Sequence, residues 1–537
     1  MKDNALIICL SIIIIVCNVG FGANLEESPQ TQKVSAEDIL DQLRNGSDVS
    51  YDHVLIYGDL ELQDPQNKSG SEEEGLRDQS ADMINSSIRI TRSIFNGNVK
   101  LENKIFKNIA RLENNVFIGD VHFNGSKFMH ETSFNGSKFK KSAFFLKSKF
   151  FNSMSLRRIL FEGYCGFDAA VFEEKASLRG VSFLGDTSFS KTVFENSTTF
   201  EDSSCRGNFS FYKTSFMKEV NFLRSRLEGK QNLFSKAVFS DSANFGESTF
   251  NNTDLSWSIF NGKTQVLNGV FNGNTDFRHA AFEKDTAFFA LRFNGEVNFV
   301  QSKFGQEASF KSTLFNGSAT FDNVDFENRA QFSDAKFLKS AGFNESKFKG
   351  DALFEGTVFG GILFLTRAEY ERMFIRWENI THLEFDDSSF LLLIENFKKL
   401  GYWSDADKSY YAYRLERNRY LPVIYRPTDW MLSILYGYGT RPEFSLFWFG
   451  ITILLFGVVF YRVDGVHKGD KRVSIWDAIF FSATNIASGT KTLSGFVSTP
   501  SDFKAAGRFQ YLIVLEKFLG MLLFALFLTA LARTVIR

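Results

Sequence analysis

The sequence predicts a mainly β fold in which short strands pile into a solenoid, followed by a helical segment and a two-span membrane module. Three observations carry that reading. The first is a phenylalanine series: Phe277, Phe282, Phe288, Phe293, Phe299, Phe304, Phe310, Phe315, Phe321, Phe326, Phe332, Phe337, Phe343, Phe348, Phe354 and Phe359. Its steps alternate between five and six, so the unit is eleven residues. The second is the filling of that unit. A small or β-branched residue such as Ala280, Val297, Ser302, Ala308 or Thr313 stands two positions before most of these Phe. Asn-Gly, Lys, Glu, Asp and Ser occupy the intervals and suit tight turns and solvent. Neither the helical period of 3.6 nor the strand period of 2.0 fits this pattern. A fixed repeat that cannot bury its own apolar residue must stack on copies of itself. The third observation is the end of the ladder after Phe364, where helical spacing and then two long hydrophobic stretches take over.

Small-x-Phe-x-x, reiterated with Asn or Gly after the Phe, resembles the pentapeptide-repeat family in its Phe-centred variant, with an extra residue on alternate faces. The resemblance implies a right-handed quadrilateral β-solenoid with the central residue of each pentapeptide pointing inward. One coil then holds four faces and 22 residues, and Phe277, Phe299, Phe321 and Phe343 fall in one column. Traced backwards, the ladder runs through Phe250, Phe245, Phe239, Phe222, Phe216, Phe211, Phe200, Phe194, Phe189, Phe183, Phe172, Phe167 and Phe161 to Phe117. Leu156, Leu178, Leu227 and Cys205 fill rungs where Phe is missing. That makes roughly eleven coils, and about 50 Å of stack at about 4.8 Å per strand.

Composition agrees. Of 537 residues 44% are apolar, enough for a large core and more than one domain, and 64 Phe against 6 Pro is the ladder showing through. A net charge of −1 builds no field for nucleic acid, so no nucleic-acid partner is expected. Of the four Cys, Cys9 and Cys17 lie in the first hydrophobic stretch, Cys205 is a rung and Cys165 is off the ladder. The last two are expected as buried thiols that do not pair.

Residues 1–23 read as a signal peptide or signal anchor, with an apolar run from Ala5 to Val19 and small residues at Gly20 and Gly22. The repeats beyond this segment are expected outside the cytoplasm. Eleven Asn-x-Ser/Thr sites, Asn124, Asn135 and Asn316 among them, fit that location, but an Asn-Gly-Ser repeat makes such sites by chance. Residues 24–87 are read as an N-terminal cap helix, first strands and a loop. Ser35 with Asp38 caps a helix over 36–45, Val34 and Ile39 form a staple, and Gly46 ends it. Val54, Ile56, Leu60 and Leu62 alternate as a first strand, and 64–82 is a charged, solvated loop. The solenoid proper is assigned to 88–365, opened by irregular coils at Ile88, Ile90, Phe95, Val99, Leu101 and Phe106. Because a solenoid end exposes unpaired strand edges, a lid is expected at each end.

Residues 366–440 are read as the helical C-terminal cap and an interfacial segment. Ser389 or a near neighbour starts a helix through Leu400, closed by Gly401. Ser404 with Asp407 opens another, with Ala406, Tyr410 and Tyr413 on one face and Arg414, Arg417 and Arg419 at its end. Trp430, Leu432, Ile434, Leu435, Tyr436 and Tyr438 suggest an interfacial helix, and Gly437-Tyr438-Gly439 a turn into the first span.

Residues 441–537 form the membrane module. Ser445 to Tyr461 is long enough to span, a basic loop with Arg462, Lys468, Lys471 and Arg472 comes next, and Leu512 to Ala532 spans comfortably. Between them Ser474 and Asp477 form a capping box for a short helix, Ile475 to Ile486. A span, a short re-entrant helix, a Ser/Thr/Gly loop and a second span resemble the two-helix pore module of potassium-channel-like proteins, with counterparts at Trp476-Asp477-Ala478, Phe481-Ser482, Thr484, Pro500 and Gly520. The resemblance implies a tetramer whose loop carbonyls replace an ion's water. It makes Thr484, Ala487, Ser488, Gly489 and Thr490 pore-lining candidates and Gly520 a gating-hinge candidate. The family's Thr-Val-Gly-Tyr-Gly is replaced by Ile486-Ala487-Ser488-Gly489-Thr490-Lys491, which does not support potassium selectivity. Glu516 and Lys517 form an intramembrane charged pair, explained by mutual pairing, by snorkelling or by function.

No enzyme constellation, cofactor motif or metal site is read: the six His are scattered, and no phosphate loop or nucleophile setting occurs. Two functions remain. One is an exported, membrane-anchored solenoid with a weakly selective cation pore, multi-pass in the cell membrane. The other is a non-conducting surface or interaction protein whose spans only anchor and oligomerise it. The expected partners are the lipid bilayer, further copies of the chain and an unknown protein bound by the solenoid. A DNA-mimic role, as in some soluble pentapeptide-repeat proteins, is opposed by the charge balance, the signal and the spans.

Overall fold

The computed structural model describes residues 32–62, 83–469, 471–489, 502–505 and 507–535. The expected signal segment, and the loop expected at 64–82, lie outside these. The chain makes about 15 turns of β-solenoid before its helices. Residues 1–338 and 339–537 form two compact units.

In the first unit, beyond the longer strands of its early turns, each turn contributes four two-residue strands, as in Ala281–Phe282, Thr286–Ala287, Arg292–Phe293 and Val297–Asn298. Strands pair in parallel with those one turn on, in the regular turns 22 residues away, Phe282 with Phe304 and Phe293 with Phe315. The rings follow the backbone. Phe277, Phe299 and Phe321 stack at centroid distances of 4.5 and 4.8 Å, tilted by 2° and 6°. Parallel strands lie about 4.8 Å apart, so the backbone ladder itself sets the stacking distance. Between columns the rings meet edge to face, as Phe299 and Phe310 do at 5.5 Å and 86°. Both geometries add about 0.5–1.5 kcal/mol per pair to burial.

The alternation of five and six has a backbone cause. In every five-residue step one residue takes positive φ: His279 (58°), Ala290 (53°), Gln301 (58°), Ser312 (58°) and Asn323 (56°), eleven apart. This left-handed corner costs a non-glycine residue about 1–2 kcal/mol. Hydrogen bonds hold it, across the corner from Ala280 N to Phe277 O (3.0 Å) and up the stack from His279 N to Val300 O (3.1 Å). The small polar residue two before the Phe also has a task. The hydroxyls of Thr192, Thr214 and Thr313 donate inside the core to the carbonyls of Phe167, Phe189 and Phe288 at 2.6–2.7 Å. Glycine is demanded at some bends: a Cβ on Gly207 would lie 2.3 Å from the Gly185 carbonyl carbon one turn below.

The turns exceed the roughly eleven expected for two reasons. First, the ladder starts at Gln32, since Gln32–Ser35 already pairs with Val54–Tyr57 at an offset of 22. The helix α1 (Ala36–Arg44) is set into that first turn with the expected Ser35/Asp38 box; Ile39, Leu40 and Leu43 are buried and Gly46 has φ 69°. Leu55 pairs with Ile94 at an offset of 39, seventeen more than a regular turn. Second, strands continue beyond Phe359 to Ile380–Leu383. Within the coils already counted, Phe234, Leu255, Phe260, Val266 and Phe271 fill the rungs between Leu227 and Phe277 that spacing leaves unassigned. Phe216 pairs with Phe239 at 23 and Phe239 with Phe260 at 21, an extra residue in 228–231 being cancelled at 251–252. Leu255 and Val266 replace rings there and leave a small void among Phe234, Phe245, Phe277 and Phe288, with the partnerless Thr264 hydroxyl in its wall. Cys165 and Cys205 are buried free thiols, and burial pushes Cys205 up to about 12 and Cys165 well above its usual value.

In the second unit Phe343 and Phe354 keep the edge-to-face contact (5.6 Å, 89°). Strands continue past the last Phe to Ile380–Leu383, which pairs with Val358–Phe364 across a bulge. Helix α2 (Asp387–Lys399) is capped by Asp386, not Ser389: its carboxylate accepts from Ser389 N at 2.9 Å and from the Ser389 hydroxyl at 2.8 Å. Helix α3 (Trp403–Asn418) begins one residue before the expected Ser404, with Tyr402 at the cap position and no side-chain cap bond. Asn396 of α2 accepts from Met373 N (3.0 Å) and donates to Met373 O (2.8 Å), so a side-chain amide occupies the place of a further strand.

Substitutions in the core and at the solenoid end test this packing. Phe299→Ala should cost about 3–5 kcal/mol, while Val266→Phe, which fills the void, should raise the melting temperature in calorimetry. Asn396→Ala should cost about 1–3 kcal/mol, because both polar groups of Met373 lose their buried partner.

Candidate functional site

Helix α4 (Arg426–Tyr436) ends at Gly437, which has φ 59°, and the Gly437–Gly439 turn leads into α5 (Pro442–Arg462) as expected. Helix α6 (Ile475–Gly489) and α7 (Gln510–Val535) complete the module. Helices α5 and α7 are both long and apolar enough to cross a membrane. Only 22% and 17% of their most apolar windows are buried, so Leu454, Leu455, Val514 and Phe518 point outward. The core of a water-soluble bundle would hide such side chains. The basic loop is a three-stranded antiparallel sheet, Lys471–Arg472, Val466–Lys468 and Phe503–Ala505.

Helix α6 lies against both long helices. Ser474 caps it, its hydroxyl accepting from Asp477 N at 3.1 Å while Ser474 N donates to the Asp477 carboxylate at 3.2 Å. Phe481 and Ala478 bury against Phe456 and Phe460 of α5. Two glycines permit the close approach. A Cβ on Gly457 would sit 2.8 Å from Ile479 Cα, and one on Gly520 would sit 2.7 Å from Ile486 Cγ2. The structure therefore places Gly520, the expected hinge, at a helix-packing contact.

Glu516 is fully buried at the centre of this packing. Asn485 Nδ2 donates to it at 2.5 Å and to Ile513 O at 3.3 Å. Ser482 Oγ bonds to the Glu516 carboxyl and, at 2.9 Å, to the carbonyl of Ile453 on α5. Ser482 has one hydroxyl proton for two oxygens, so a proton on Glu516 lets every contact be a hydrogen bond at once. Lys517 packs over Gly489 instead, and no ion pair joins it to Glu516 among the described residues.

The expected pore-lining positions are brought together but not as a loop. Helix α6 runs three residues beyond Ile486, so Thr484, Ala487, Ser488 and Gly489 occupy its last turns; Thr484 and Ser488 hydroxyls donate to Phe481 O and Asn485 O. Thr490 lies outside the described residues. Asn485 was missed by sequence reasoning. Its signal was the spacing of three between Ser482 and Asn485, which puts both on one face of the helix.

A second polar cluster joins the module to α3. Asp429 receives Arg414 (2.5 Å), Asn418 (3.0 Å) and the Tyr438 hydroxyl (2.7 Å). Burial opposes its charge, but these donors outweigh it and hold the carboxyl below the usual range. Arg441, before α5, lies 4.2 Å over the Tyr411 ring, and Arg533, near the end of α7, lies 4.1 Å over Tyr410 and donates to Tyr438 O. Arg414, read from the sequence as part of a basic helix terminus, thus holds α4 against α3.

Comparison with known proteins bears on the solenoid. Residues 321–369 match the family model of pentapeptide repeats. No curated protein and no solved structure matches the chain. The pentapeptide-repeat match covers the end of the Phe ladder and stops before α2.

Glu516→Gln carries its own donor and acceptor and should leave the packing of α6 intact. Glu516→Ala strands Ser482 and Asn485 and should cost about 1–2 kcal/mol in denaturation from detergent.

Proposed function

We propose that this chain is an exported, membrane-anchored pentapeptide-repeat protein whose α5–α6–α7 module assembles as a homo-oligomer, a tetramer, around a weakly selective cation path. One observation carries the reading: a single residue, Ser482, ties the short helix to both long ones, through Ile453 O on α5 and Glu516 on α7. A plain anchor has no need of a third helix bonded into its centre. Exposed apolar residues on α6 itself, Trp476 and Phe480, supply surface for neighbouring copies. The solenoid is taken as right-handed, with α1 and α2 as its lids, and as the surface that engages a protein partner.

With the repeats outside, α5 descends and the basic sheet bearing Lys468, Lys471 and Arg472 lies in the cytoplasm, as positive charge prefers. Helix α6 starts at that end, where Lys468 pairs with Asp477 at 3.3 Å, and re-enters from the cytoplasmic side. The anchor-only reading has its own support. Ala487, Ser488 and Gly489 are helical, so their carbonyls are directed along a helix and not toward an ion. Purified oligomer in planar bilayers decides between them: discrete conductance with little preference between potassium and sodium is expected, and silence across ions and voltages from a folded oligomer favours the anchor. Accessibility of Ser488→Cys to impermeant thiol reagents from each side reports the direction of re-entry.

A further inference from the structure

A compact group of large apolar side chains stands in solvent just before α5. In the 3-10 turn Val423–Tyr425 and the α4 residues after it, Val423 is 74% exposed, Ile424 77%, Tyr425 61%, Trp430 61% and Met431 50%. Of these, the sequence pointed only to Trp430. Of the expected interfacial set, Leu432, Ile434, Leu435 and Tyr436 are half-buried and Tyr438 is buried; Trp430 alone is exposed.

The exposure is built in. Arg426 donates from Nε to Leu421 O (2.9 Å) and from its guanidinium to Arg419 O (2.8 Å), clamping the turn from behind. Asn418 donates to Arg426 O (3.1 Å), Tyr425 N to Pro422 O (2.9 Å) and the Thr428 hydroxyl to Tyr425 O (2.8 Å). Asp429, bonded to Arg414, Asn418 and Tyr438, fixes the start of α4 from its inner side. Side chains held outward by so many polar bonds are presented to an apolar medium.

The same helix is fastened at a set level to α5. Ser445 donates to Leu435 O at 3.0 Å and Trp448 Nε1 to Ile434 O at 2.9 Å, so the end of α4 lies beside the first two turns of the span. Where α5 enters a bilayer, α4 lies at the surface. Trp and Tyr favour that depth, and the neighbouring Arg417 and Arg419, both exposed, suit lipid phosphate.

From this we infer that Val423, Ile424, Tyr425, Trp430 and Met431 form a wedge that inserts into the headgroup–acyl boundary of the leaflet that α5 enters, with a preference for anionic phospholipid. The wedge adds a membrane contact outside the α5–α6–α7 module and fixes α3 and α4 flat against the bilayer. This rests on reading α5 as a span.

The test uses the full chain, with Cys9→Ser and Cys17→Ser, in nanodiscs of phosphatidylcholine with or without phosphatidylglycerol. Single cysteines at Ile424, at Leu455 in α5 and at Leu184 on the solenoid carry an environment-sensitive fluorophore, and lipids bear nitroxides at shallow or deep positions. The Ile424→Cys label should shift to the blue and be quenched roughly twofold more by shallow than by deep nitroxides, more so with phosphatidylglycerol. The Leu455→Cys label should be quenched by deep nitroxides and the Leu184→Cys label by neither. An unquenched Ile424 label beside a quenched Leu455 label overturns the wedge and leaves the span standing. Cross-linking of Ile424→Cys between copies, without lipid quenching, overturns it in favour of a contact between protomers. An unquenched Leu455 label removes the span and the wedge together.

Discussion

The structure depends on a coincidence of lengths. Parallel strands repeat at about 4.8 Å, and stacked aromatic rings rest at nearly the same separation. A chain that returns above itself every 22 residues therefore satisfies its backbone hydrogen bonds and its ring contacts with one movement. Leucine or cysteine is accepted even on successive rungs of one column, Leu156 with Leu178 and Cys205 with Leu227, all four buried. Where two replacements fall in opposite columns of one turn, at Leu255 and Val266, the packing fails locally and a void opens.

The second unit solves a different problem with similar economy. A stack of strands ends in free N–H and C=O groups, which are costly to bury unpaired. Asn396 answers with one amide that both donates and accepts at Met373. Among the C-terminal helices the same chemistry recurs at Asn485, whose amide reaches both a carboxyl and a carbonyl of α7. Polar side chains placed singly among apolar ones here specify how helices and strands meet, while the hydrophobic surface supplies the driving force.

Much of this could be read from residues alone, and the failures have physical causes. The Phe ladder gave the solenoid and its 22-residue turn because period and burial are the same fact. The capping boxes at Ser35 and Ser474 were visible because they are local in sequence. Between Leu227 and Phe277 the ladder was legible only at Phe239, Phe245 and Phe250, because an extra residue and a later missing one displace the rungs around them. Asp386 in place of Ser389, and Tyr402 in place of Ser404, show that a cap with several neighbouring polar residues to choose from is settled by packing. The Glu516 network joins residues 29 to 34 positions apart in three helices, and no spacing rule within one helix announces it. Exposure at Val423 and Ile424 was equally unreadable, since an apolar tripeptide before a span is silent about which way it faces.

The left-handed corners separate what the solenoid displays from what holds it together. In one column Lys213, Lys236, Trp257, His279, Gln301 and Asn323 all adopt the same backbone angle, at much the same conformational cost. Their side chains leave the core untouched, so one surface position per turn is free to change identity. Trp257 and His279 already use that freedom, stacking ring on ring at 3.9 Å on the outside of the ladder. A surface of this kind is a lattice with fixed pitch and open lettering, and its chemistry can be rewritten turn by turn without disturbing the scaffold.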